Sequence, residues 1–86
     1  MNFWMRLDKF LKKTGLVKRR TIAQEMVDTG RVFRDGRPLK NSYQVKEGDE
    51  IEIVYLNRIL KFKVESSNER EPVYSVICEV KLEREF

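Results

Sequence analysis

Apolar residues change their spacing at Gly30, and that change limits the fold more than any other feature of the chain. Before it, Leu7, Phe10 and Leu11 stand at i, i+3 and i+4, one face of a short helix. Ile22, Ala23, Met26 and Val27 form the apolar stripe of a second helix. Gly15 and Gly30 can end these helices in the left-handed conformation, and Leu16 and Val17 anchor the connection between them. Thr21, with Gln24 three residues on, predicts a capping box at the second start. After Gly30 the apolar residues alternate. Ile51, Ile53 and Tyr55, then Leu60, Phe62 and Val64, have the pattern of half-buried strands. Asp35-Gly36, Glu47-Gly48-Asp49 and Asn57 mark turns, and Pro38 marks an edge or a bend. "SSNEREP" reads as a loop, and "VYSVICEV" as a final strand. The expected architecture is α+β: two short basic helices packed on a small, mostly antiparallel sheet. Helices of two or three turns are marginal alone, so packing must hold them.

With 86 residues, the chain is expected to form one domain with a modest core. No apolar run approaches a membrane span, and "MNFWMRLDKF" lacks the build of a signal peptide, so a cytoplasmic protein is expected. There is no histidine, which removes the usual general base and the commonest metal ligand. The single cysteine, Cys78, cannot form an internal disulfide or supply a zinc site; in its apolar run it is expected as a buried core thiol. No Gly-rich phosphate loop is present. Neither a cofactor nor a metal is expected, and no enzymatic activity.

Charge is divided unevenly. Residues 1–46 hold twelve Lys/Arg against four Asp/Glu, and residues 47–86 hold six against ten. The net charge of +4 therefore conceals a strongly basic first half. From Arg6 to Gln24, seven of nineteen residues are cations and only Asp8 opposes them. Such asymmetry points to a polyanion, nucleic acid or an anionic membrane, with a solvated basic face as the plain alternative.

The ordered set Arg6-Leu7-Asp8, Arg20, Ala23, Gly30-Arg31-Val32, Asp35-Gly36, Val45 and Gly48-Asp49 resembles the RNA-binding domain first described in ribosomal protein S-four, over roughly residues 6–55. Within that group the chain is similar to the RqcP (YabO) family. A related ribosome-associated heat-shock protein shares the domain but carries a longer basic C-terminal extension, where this chain ends acidic. The family pattern begins at Met5, so "MNFW" looks like an addition or an alternative start, and Asp35-Gly36 replaces the family's more usual Asn-Gly. Residues 1–5 are expected as an N-terminal extension and 6–65 as the RNA-binding domain. Residues 66–86 are expected as a loop, final strand and acidic tail completing it. The resemblance implies the αL fold and a role in bacterial ribosome-associated quality control. The protein would bind large subunits that still carry peptidyl-tRNA, hold that tRNA in the peptidyl site, and support alanine tailing by its partner RqcH. A monomer is expected, with no membrane partner.

RNA helices are recognised through shape, phosphates and 2′-hydroxyls, which calls for Arg and Lys on a rigid support. Arg6, Arg19 and Arg20 lead, since a guanidinium offers a forked phosphate contact; Lys9, Lys13, Lys18 and Arg31 surround them. By family position, Arg6 and Arg20 match the RNA face. Each also has a local reading. Arg6 could cap or pair with Asp8, Arg19 could be merely solvated, and Arg20 sits poorly for the helix dipole. Asp8 is expected to hold an arginine or a backbone N–H. Phe10, Phe33 and Phe62 fit core positions, while Phe3 and Trp4 could stack on a base or cover a sheet edge. Another ribosome- or tRNA-binding assembly factor stays open, as does a membrane-surface module built on a basic amphipathic helix.

Overall fold

The structure, a computed structural model, describes residues 4–82. The elements run β1 (Met5–Arg6), α1 (Leu7–Lys13), α2 (Arg20–Asp28), β2 (Val32–Arg34), β3 (Arg37–Pro38), β4 (Gln44–Val45), β5 (Glu50–Val54), β6 (Arg58–Ser66) and β7 (Val73–Lys81). One sheet has the order β3-β2-β5-β6-β7, and β1 pairs with β4 in a second. Every pair is antiparallel. This is the α+β arrangement that the change of period predicts, with Pro38 on the edge strand β3.

Leu7, Phe10 and Leu11 are all fully buried. Burying side chains of this kind yields about 1.5–3 kcal/mol each, which is what holds a seven-residue helix too short to persist alone. Their partners are Ala23 and Val27 from α2, Val32, Ile51 and Ile53 from β2 and β5, and Leu60, Phe62 and Val64 from β6. Phe10 stacks on Phe62 with centroids 6.2 Å apart, and Tyr74 meets Phe62 edge-on at 5.6 Å. Gly15 takes φ +80°, and the N–H groups of Thr14, Gly15 and Val17 close the end of α1 on Phe10, Lys12 and Leu11 carbonyls. Asp35 and Gly36 both have positive φ, 52° and 76°, the two-residue turn whose twist suits the β2–β3 hairpin.

Five expectations change. Met5, assigned to an extension, is buried and pairs with Val45, because its side chain closes the core beside α1. Thr21 does not cap α2: the helix starts at Arg20 with Arg19 at the cap position, which places Thr21 inside the first turn. Ile22 is 45% exposed, so the α2 stripe narrows to Ala23 and Val27 with Met26 partly buried. Phe33 is only half-buried. Cys78 is exposed, because β7 is the sheet's outer strand and shows Val73, Val76, Ile77 and Val80 to solvent as well. Its register slips at Lys61/Phe62 and again at Val64/Ser66, which breaks the clean inward alternation of β7.

Candidate RNA-binding surface

Arg6 leads into α1 and Arg20 opens α2, and the packing of the two helices brings both guanidinium groups to one carboxylate. Asp8 is fully buried. Arg6 Nε lies 3.3 Å from Asp8 Oδ1 and Arg20 Nε 3.4 Å from Oδ2. The Gln24 amide donates to Oδ2 at 2.9 Å, and the Lys9 backbone N–H donates to Oδ1 at 2.8 Å. Asp8, expected to hold an arginine or a backbone N–H, holds two arginines and the Lys9 N–H. The two arginine side chains remain 48% and 44% exposed, so each has one side on Asp8 and one in solvent. Burial pushes the Asp8 carboxyl up, but the donors Gln24, Arg20 and Lys9 N–H, with the Arg20 charge, outweigh it and hold the group below its ordinary 3.8. The stabilisation from that depression is present above 3.8 and is lost as pH falls through the lowered value.

The other expected cations divide into two groups. Lys9 and Lys13 project from one side of α1 to the 67–72 loop. Lys9 Nζ pairs with the Glu69 carboxylate, and Lys13 Nζ donates to the Glu69 carbonyl at 2.6 Å. Lys18, Arg19 and Arg31 lie apart from the Asp8 cluster. Lys18 and Arg19 edge a groove lined by Leu16, Val17, Ile22, Met26 and Tyr55; Arg31 edges its continuation beside Leu56. Among the described residues these three form no ion pair. The seven cations therefore make one paired fork, one latched face and one open rim rather than a uniform patch.

Three contributors escaped the sequence reading. Gln24 serves Asp8 rather than a helix cap. Arg34 reaches the nearly buried Asp49, Nε to Oδ1 at 3.4 Å, and Asp49 also accepts from Tyr43 Oη at 2.7 Å and from the Lys46 N–H at 2.9 Å. Lys46 in turn sits 5.7 Å from the ring centroid of Trp4, which is 53% exposed. The charge and aromatic content of these residues could signal them; their partners could not be read from spacing. Phe3 lies outside the described residues. Among the described residues no helix is long and apolar enough to cross a membrane.

Comparison with known proteins bears on the family and the fold. The S4 domain family matches residues 5–51, the stretch that holds Asp8 and all seven cations. The chain is 39% identical to the RQC P-site tRNA stabilizing factor of Streptococcus pneumoniae, over 92% of this chain and 97% of that one. It is 38% identical to the factor of the same name in Bacillus subtilis, over 91% and 98%. Among solved structures it is similar to trimeric Vibrio cholerae Heat Shock Protein 15, with a TM-score of 0.73 and 26% identity across 87% of this chain and 83% of that one. Sequence and fold therefore point the same way: the chain belongs to the RqcP family of RQC P-site tRNA stabilizing factors, built on the S4 domain.

Proposed function

We propose that the protein is a non-enzymatic RNA-binding factor of bacterial ribosome-associated quality control. It binds large ribosomal subunits that retain peptidyl-tRNA, contacts ribosomal RNA and the peptidyl-site tRNA through Arg6, Arg20 and the surrounding cations, and supports alanine tailing by RqcH. It acts in the cytoplasm as a monomer. The observation that carries this reading is the pair of arginines held side by side on a rigid two-helix support. Phosphate contacts supply most of the affinity of such surfaces and make it salt-dependent, and a fixed guanidinium loses less freedom on binding than a mobile one. The family membership supports the same reading.

Recovery of a tagged copy from cells tests it, with sequencing of the bound RNA and mass spectrometry of the bound proteins. Large subunits with tRNA and RqcH are expected. Free precursor RNA or small subunits would move the function to assembly. Binding to anionic vesicles without RNA would replace it with a membrane-surface role.

A further inference from the structure

The two arginines approach Asp8 with the same edge. Arg6 turns Nε (3.3 Å) and Nη2 (3.4 Å) to the carboxylate. Arg20 does the same with Nε (3.4 Å) and Nη2 (3.5 Å). A guanidinium is planar and carries five N–H donors in fixed directions. With the Nε/Nη2 edge spent on Asp8, each group retains Nη1 and the outer N–H of Nη2, which form its end edge and face away from the carboxylate. Asp8 itself is unreachable, with its side chain 0% exposed. Gln24 prevents the carboxylate from turning by donating to Oδ2, while the Lys9 N–H holds Oδ1.

We infer that Asp8 and Gln24 are positioning residues that convert Arg6 and Arg20 into one paired fork for the RNA backbone, each arginine offering its end edge to one of two neighbouring phosphates of the same strand. Arg6 Nη2 and Arg20 Nε both touch Asp8 Oδ2, and Arg6 Nε and Arg20 Nη2 both touch Oδ1, so the two guanidinium groups are held side by side, within reach of neighbouring phosphates on one strand. Without the carboxylate, two like charges at this distance would repel and the long side chains would sample many rotamers, each to be ordered again on binding. The inference rests on the RNA-binding reading above, and assigns within it a role to residues that touch no RNA.

Simple charge and positioning predict opposite signs. Asp8→Asn removes a negative charge from a basic surface, so uniform electrostatics demands tighter RNA binding. Positioning demands weaker binding despite the gained charge. The probes are purified large ribosomal subunits and a fluorescein-labelled A-form RNA duplex, titrated over a range of salt. Asp8→Asn is expected to bind about tenfold more weakly, with a salt slope shallower by about one. Gln24→Leu, which leaves net charge unchanged, is expected to bind about threefold more weakly. A nitrogen-15 spectrum gives a readout that stability alone does not move: two distinct Arg Nε–H signals in the wild type should merge with the solvent-exposed arginines in Asp8→Asn. If that variant does not fold, Gln24→Leu carries the test. Asp8→Asn or Gln24→Leu binding as tightly as wild type, or tighter, would overturn the positioning role alone. Wild-type protein that bound neither probe would overturn the RNA reading and the inference with it.

Discussion

Tyr43 gives the sharpest test of how the core supports the surface. Its hydroxyl donates to Asp49 at 2.7 Å, and its carbonyl accepts the Leu7 N–H at 2.9 Å, fixing the start of the helix that Arg6 precedes. Burial first, then the hydrogen bond and charge of Asp49, push the phenol from 10.0 up to about 12. The folded protein therefore keeps the phenolic proton where the unfolded chain has released it. Below pH 10 both states are protonated and the stabilisation is complete; it is lost as pH rises toward and through 12. Two pKa units correspond to at most about 2.7 kcal/mol, and since the ring is partly exposed, screening trims this to about 1–2 kcal/mol.

Tyr43→Phe should then cost about 1–2 kcal/mol at pH 8, measured by urea unfolding followed by far-UV circular dichroism. For a domain of this size that is about 5–15 °C in Tm. The gap between variant and wild type should close between pH 10 and 12. Every other group is common to the two proteins, so the difference isolates Tyr43. A gap that stayed constant from pH 9 to 11.5, or no gap at pH 8, would refute the reasoning.

Three further outcomes are expected. Phe62→Ala removes a fully buried ring that contacts Phe10 and Tyr74; the loss of about 3–5 kcal/mol should consume much of a stability of about 4–13 kcal/mol, seen as a large drop in urea midpoint. Glu69→Gln should release Lys9 from the 67–72 loop, while Lys13 keeps the Glu69 backbone carbonyl, and raise subunit affinity up to about twofold at low salt, with a steeper salt dependence. In the wild type the same release should occur in acid, since the Lys9 pairing holds Glu69 below its ordinary 4.5 and the pairing is lost as pH falls through that lowered value. Cys78 should react fully with an aromatic disulfide reagent in the native protein, and protection comparable to that of a core thiol would contradict the exposed position on β7.

Much of the fold was legible because one local rule sufficed for each part. The i, i+3, i+4 spacing of Leu7, Phe10 and Leu11 identified a face that is wholly buried. Alternation identified Ile51, Ile53, Leu60, Phe62 and Val64, all in the core. Asp35-Gly36 identified a hairpin whose two positive φ angles few other pairs tolerate. The readings failed where burial depends on what lies on the far side. "VYSVICEV" has the composition of a core strand, yet as the outermost strand it has one neighbour, β6, and composition does not encode position in the sheet order.

At the candidate site the partners of the cations were not legible along the chain, and Gln24 shows why. Thr21 and Gln24 satisfy the spacing of a capping box, whose loss costs roughly 1 kcal/mol. Asp8, sixteen residues before Gln24, is a fully buried carboxylate, and depriving such a group of a donor costs about 1–3 kcal/mol or more. The larger demand wins the amide. With Gln24 committed to Asp8, α2 begins at Arg20 and leaves its cap position to the Arg19 backbone. That start places the Arg20 side chain against the same carboxylate from the second helix. The cation that sat badly for the helix dipole is thus compensated by an anion on the neighbouring helix, a partner that no spacing rule along the chain can reveal. The same compensation lets a segment with seven cations also furnish the core: one carboxylate, sealed beneath two arginines, offsets charge between the helices while both arginine side chains stay nearly half exposed.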